Sequence, residues 1–268
     1  MTLIETYNDS YSIYTHGGGT HDFPVMPFQT KISDFAKFDI ADVRTDKYTS
    51  QHEGKHILFA GCSVTHGVGI PDPEDVWTNI VYNKIKETEK VSGFYSVAYP
   101  AHSITMQVSM IMRYISEYGK PDVIFFNLPS SARTFVSYEG QLFLAQIAIQ
   151  HEAAMPGSML LAEHMNFESY LTLHEYCKAA GIRLISLTWS ENSQSSDPGV
   201  TKDMLTDKFD SFYLGKDDIV DFIAEYQINN DNEYKQFFIE GADGSHPGLA
   251  FHSYYASTAL NAYLDIPA

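Results

Sequence analysis

The chain has 268 residues, 44% of them apolar and 19% charged, enough for one larger α/β domain or two small ones with a full core, and neither a disordered chain nor a coiled coil. Thirty-four acidic against 17 basic residues leave a net charge of −17, a surface that repels phosphate backbones and argues against nucleic acid as a partner. No apolar run reaches the ~18–20 residues of a membrane span. Met1-Thr2-Leu3-Ile4-Glu5 has no basic n-region followed by an apolar stretch, so no signal peptide is expected. The two cysteines, Cys62 and Cys177, cannot form a disulfide scaffold and suit a reducing compartment. The expected location is cytoplasmic.

Residues 1–54 carry Gly17-Gly18-Gly19, Pro24, Pro27 and scattered Tyr and Phe without a sustained period of 2 or 3.6. They read as an irregular extension held on the main domain by its aromatics. Residues 55–268 are the organised part. Ile57-Leu58-Phe59-Ala60, stopped by Gly61, reads as a first buried strand. Pro71, Asp72 and Pro73 precede a helical stretch with Val76, Trp77, Ile80, Val81 and Ile85 at helical spacing. Tyr95-Ser96-Val97-Ala98 is a second strand, and Met106 to Tyr118 an amphipathic helix. Val123 to Leu128 is a third strand, stopped by Pro129. A helical region is expected over about 141–180, in two pieces broken near Pro156-Gly157 and capped by Gly181. Arg183 to Trp189 is a fourth strand, 191–212 a polar loop, 217–227 a helix and Leu249 to Leu264 the closing helix. Strands alternating with helices predict a parallel sheet covered on both faces, with no internal repeat.

In an open parallel sheet, ligands bind beyond the carboxyl ends of the strands. Gly61-Cys62-Ser63-Val64-Thr65-His66-Gly67 follows the first strand, Tyr99 to Thr105 the second, and Pro129 to Arg133 the third. Asp243-Gly244-Ser245-His246-Pro247 precedes the last helix. That edge gathers a serine in a glycine-flanked turn, small polar residues, and an acid three positions from an imidazole. This is the inventory of nucleophilic acyl transfer. On a turn entering a helix, with Pro247 at its first position, residues three apart can face one way. A carboxylate at Asp243 can then fix the tautomer of His246 and leave the other ring nitrogen to face a hydroxyl. Thr65 stands where a nucleophile elbow has its second glycine, and no Lys follows Gly67 as in a phosphate-binding loop. His16, His21, His52, His56 and His66 crowd the first quarter without ligand spacing, so no metal is expected. Arg133 reads as a partner for a local acid or a substrate carboxylate, more often the former.

These segments resemble the SGNH (GDSL-type) hydrolases. Gly61-Cys62-Ser63 with Thr65 and Gly67 resembles their first block, and Asp243, His246 and Pro247 match their last, D-x-x-H-P. The resemblance spans about residues 55–265. It implies a three-layer α/β/α sandwich with a flavodoxin-like parallel sheet, and ester hydrolysis without cofactor. Ser63 would be the nucleophile, His246 the general base and Asp243 its orienting partner. The second block's glycine falls on Ser103 and the third block's Asn on Ser131, so the oxyanion hole would comprise the Ser63 and Ser103 N–H groups and the Ser131 hydroxyl. The expected substrate is a small-molecule or carbohydrate ester, with short acyl or carbohydrate-borne acetyl groups favoured. The altered middle blocks keep two alternatives open: a catalytically weak relative that binds a glycan or protein, and an O-acyltransferase using the same triad.

Overall fold

The computed structural model describes residues 54–99, 102–129, 133–138, 141–146, 158–188 and 246–265, together with three two-residue strands nearer the N-terminus. Those are β1 (Ile13–Tyr14), β2 (Thr20–His21) and β3 (Thr30–Lys31). The main part begins with β4 (Lys55–Ala60), the one-turn helix α1 (Ser63–His66), a 3-10 turn at Pro73–Asp75, and helix α2 (Trp77–Thr88). Next come β5 (Val91–Ser96), α3 (Ile104–Tyr118) and β6 (Val123–Leu128). Strands β7 (Arg133–Tyr138) and β8 (Gln141–Gln146) precede α4 (Ser158–Ala180), β9 (Arg183–Thr188) and the final helix α5 (Leu249–Asp265).

The chain divides into two compact units. The smaller comprises residues 1–38 and 136–143, the larger 39–135 and 144–268. β1 pairs antiparallel with β2, and β3 lies beside β8, which lies beside β7. The larger unit is built on a four-stranded sheet in the order β5-β4-β6-β9, every pairing parallel.

Alternation along these strands makes three layers. Ile57, Phe59, Val123, Phe125, Ile185 and Leu187 join one buried cluster with Trp77, Val81 and Ile85 of α2 and Phe251, Tyr255 and Ala259 of α5. Successive side chains of a strand leave on opposite faces, so Phe126 turns the other way, where its ring stacks 6.4 Å from Tyr170 of α4. The Tyr170 hydroxyl meets Ser186 Oγ of β9 at 2.7 Å on that same face. Helices α2 and α5 thus cover one face, and α4, packed beside α3, the other. Phe59 anchors the first face, with Trp77, Phe94 and Phe125 ring centroids 5.1–5.5 Å away. Each such ring contributes about 1.5–3 kcal/mol by leaving water.

Gly181 ends α4 as expected, at φ 66°. The Ile182 N–H reaches back to the Cys177 carbonyl (2.8 Å) and the Gly181 N–H to that of Lys178 (3.3 Å), the paired closure of a left-handed C-terminus. The helical expectation over 141–180 holds at Ser158–Ala180 and fails at Gln141–Gln146, which is a strand; residues 147–157 lie outside the described residues. Leu142-Phe143-Leu144 fits either state by propensity. The deciding feature is the strand just before it, Arg133–Tyr138, which lies beside it in one sheet. The second strand also begins four residues earlier than Tyr95, at Val91. The polar loop at 191–212 and the helix at 217–227 lie outside the described residues.

Candidate active site

β4 ends at the sheet's carboxyl edge, and Gly61 turns the chain out of the strand at φ 155°. A side chain there would place Cβ 2.2 Å from Thr65 Oγ1 and 2.9 Å from the Asn127 carbonyl oxygen, so only glycine permits this close approach. Ser63 then opens α1, which Gly67 closes at φ 82°, its N–H donating to the Ser63 carbonyl at 3.0 Å. Val68 N–H donates to the same carbonyl, also at 3.0 Å. The serine is thereby held by backbone bonds alone. It is 6% exposed, and no hydrogen bond among the described residues engages its hydroxyl or its N–H.

Two side-chain links brace the turn from behind. Asn127, in β6 and fully buried, donates from Nδ2 to Thr65 Oγ1 at 3.0 Å. Gln107, in α3 and fully buried, accepts the Gly61 N–H on Oε1 at 3.1 Å, and its Nε2 lies 2.8 Å from His102 Nδ1. Because the amide oxygen is committed to Gly61, the amide nitrogen must donate to His102 Nδ1, and a neutral His102 carries its proton on Nε2. Burial, reinforced by the Arg133 charge, pushes His102 down to about 3, so it is neutral across the physiological range. The relay Gly61–Gln107–His102 couples the serine turn to the loop after β5. His102 sat beside Ser103 in the sequence and Gln107 one turn further along, but nothing in their spacing announced the bond.

Ser103 is fully buried and caps α3, its Oγ accepting the Met106 N–H at 3.2 Å. The hydroxyl is spent on the helix, while the Ser103 N–H has no acceptor among the described residues. His246 is partly buried, three residues before α5. It acts electrostatically on His252 of that helix, which is pushed down to about 4 by burial and further by the His246 charge. His252 Nδ1 in turn accepts the Trp77 N–H at 3.2 Å, which fixes the start of α2 against α5. On the next turn of α5, Tyr255 lies within electrostatic reach of Cys62, the residue before Ser63. Helix α5 therefore lies within electrostatic range of both the turn that carries Ser63 and the approach that carries His246. Asp243 and Ser131 lie outside the described residues. No group of three or more His, Cys, Asp or Glu among the described residues is arranged to hold a metal.

No protein-family profile and no curated protein matches the chain. Among solved structures, it superposes on a two-domain esterase, CEX, active on acetylated mannans, with a TM-score of 0.50 and 14% identity over 78% of this chain and 48% of that one. The same esterase crystallised with mannopentaose gives 0.51 and 15% over 78% and 49%. A psychrotrophic esterase, EstA from Pseudoalteromonas sp., gives 0.48 and 10% over 78% and 96%. The chain spans about half the length of the two-domain esterase it matches. A parallel sheet between two helical layers, with a serine turn after its first strand and a histidine ahead of its last helix, defines the α/β/α class. The particular fold is the one it shares with the two-domain esterase.

Proposed function

We propose that the chain is a serine esterase acting on short acyl or carbohydrate-borne acetyl esters, with Ser63 as nucleophile, His246 as general base and Asp243 as its orienting acid. The observation that carries this reading is the unspent Ser63 hydroxyl at the carboxyl edge of the sheet, with the uncommitted N–H groups of Ser63 and Ser103. Attack by Ser63 Oγ on the ester carbonyl sends its proton to His246, which returns it to the departing alcohol. Water then attacks the acyl-enzyme with the same imidazole as base. The Ser63 and Ser103 N–H groups, with the Ser131 hydroxyl, would receive the negative charge on the carbonyl oxygen, and such donors are worth roughly 3–4 kcal/mol each in barrier. The electrostatic proximity of α5 to both Cys62 and His246 supports bringing nucleophile and base to one place. The acetylated-mannan activity of the two-domain esterase supports the choice of acyl group.

The test is hydrolysis of 4-nitrophenyl acetate by the wild type and by Ser63→Ala. The wild type should turn the ester over and Ser63→Ala should not, while the variant's stability changes by less than ~1 kcal/mol, since a small hydroxyl is removed without breaking a hydrogen bond. A Ser63→Ala protein that keeps most of the rate would assign the nucleophile elsewhere.

A further inference from the structure

Arg133 opens β7, just beyond the loop after β6. Its Nη1 is buried without a hydrogen-bond partner, and no ion pair among the described residues engages it. This is unusual in a chain with twice as many carboxylates as cations, 34 against 17, where a free arginine has many chances of an internal partner. A buried guanidinium nitrogen without an acceptor is costly, so the arrangement persists because something holds it.

That something is Asn166 of α4, 1% exposed. Its Nδ2 donates to the Arg133 carbonyl at 2.8 Å, and its Oδ1 accepts from both the N–H and the hydroxyl of Thr105, each at 3.1 Å. Thr105 is two residues from Ser103. One buried amide therefore ties the backbone of Arg133 to the start of α3, beside the proposed oxyanion donor. The guanidinium lies close enough to His102 to disfavour its protonation. His102 is neutral and donor-bearing on Nε2, so it adds a dipole and no second charge.

Resting on the esterase reading above, we propose that Arg133 recognises a carboxylate on the substrate, so that the preferred esters are anionic. A guanidinium offers parallel N–H groups that match a carboxylate in two-point fashion. One arginine balances one negative charge, which suits a carboxylate monoanion better than a phosphate dianion. The acidic surface does not forbid such a ligand, because fields from exposed charges decay over about 8–10 Å in physiological salt. The carboxylate can sit in the acyl part, as in a succinyl ester, or in the alcohol part, as in an acetylated uronic acid.

Two substrate pairs separate these sources. Mono-4-nitrophenyl succinate against 4-nitrophenyl acetate probes the acyl side, and acetylated glucuronic acid against acetylated glucose the alcohol side. The wild type should favour the anionic member of one pair in kcat/KM. Arg133→Met should lower that ratio by roughly 30-fold or more, as loss of one partner of a desolvated charge pair does. Arg133→Lys should recover part of it. Calorimetric titration of Ser63→Ala with succinate and with glucuronate gives a readout that needs no turnover, and binding should vanish in Ser63→Ala/Arg133→Met. Hydrolysis of neutral esters with no anionic preference and no succinate or glucuronate binding overturns the proposal and spares the esterase reading. Binding lost with Arg133, in a protein that hydrolyses none of the four esters, overturns the esterase reading instead. If Arg133→Met does not fold, calorimetry on Ser63→Ala in rising chloride decides, since affinity for either carboxylate must fall with salt.

Discussion

Gly61 is where the demands of fold and site coincide. Its carbonyl accepts the Tyr99 N–H at 3.1 Å and its N–H is held by Gln107, so the backbone is fixed from both sides before the chain reaches Ser63. The space for a side chain is taken by Thr65 and the carbonyl of Asn127. Gly61→Ala must therefore displace either α1 or the end of β6, and should cost about 2–4 kcal/mol of stability, because the blocking atoms include backbone. Urea denaturation checks the stability. The esterase rate should fall further than stability alone accounts for, since one of the two elements that can yield carries Ser63, the proposed nucleophile. A Gly61→Ala enzyme with wild-type midpoint and rate would show that the turn relaxes freely.

Between elements, polar side chains do the joining that the sequence does not display. Asn166 links α4, the start of α3 and the first residue of β7 through three hydrogen bonds. Asn166→Leu keeps the number and branching of heavy atoms but strands the Thr105 N–H and the Arg133 carbonyl in a buried place, and should cost about 2–4 kcal/mol. Thermal or urea unfolding reads this directly, and a loss below 0.5 kcal/mol, roughly the scatter of neutral surface changes, would mean that other groups replace the amide. The alternating strands and amphipathic helices were legible in the sequence because each buries a periodic apolar face: β6 was read to the residue, and α5 to within one. The turn of Gly61, Ser63 and Gly67 was legible as a turn, because glycines bracket it where a buried strand ends. Strand β8 was not, because four apolar residues in a row carry no period, and tertiary pairing decides their state. Asn166, Gln107 and His102 were not either. A single polar residue on a helix looks the same in sequence whether it faces water or a buried partner, and only the packing of α3 and α4 tells them apart.

On the scale of the molecule, three buried histidines among the described residues make the larger unit sensitive to acid. His56 lies in β4 with its Nε2 bonded to the Tyr114 hydroxyl, His102 in the relay behind Ser63, and His252 between α5 and α2. Burial pushes them from the ordinary 6.5 down to about 4, about 3 and about 4 respectively. Nearby positive charge reinforces the shift for His102 and His252, and the Asp122 carboxylate opposes it for His56. Between pH 6.5 and about 4 the unfolded chain thus binds protons that the native state refuses, and stability rises with pH. The contribution is complete above pH 6.5 and is lost as pH falls through the window, at up to about 1.4 kcal/mol per unit for each group. The carboxylates behind the charge of −17 titrate mostly near pH 4, too low to relieve their mutual repulsion over the same range. The urea midpoint should therefore drop between pH 7 and pH 5, and unfolding at pH 5.5 should take up between two and three protons on account of these groups. His102→Gln, which keeps a donor and an acceptor without a titratable ring, should flatten the slope by about a third if the three contribute alike. A midpoint constant from pH 7 to pH 5 would mean that the imidazoles are protonated inside the native fold, and that His102 is then a second cation beside Arg133.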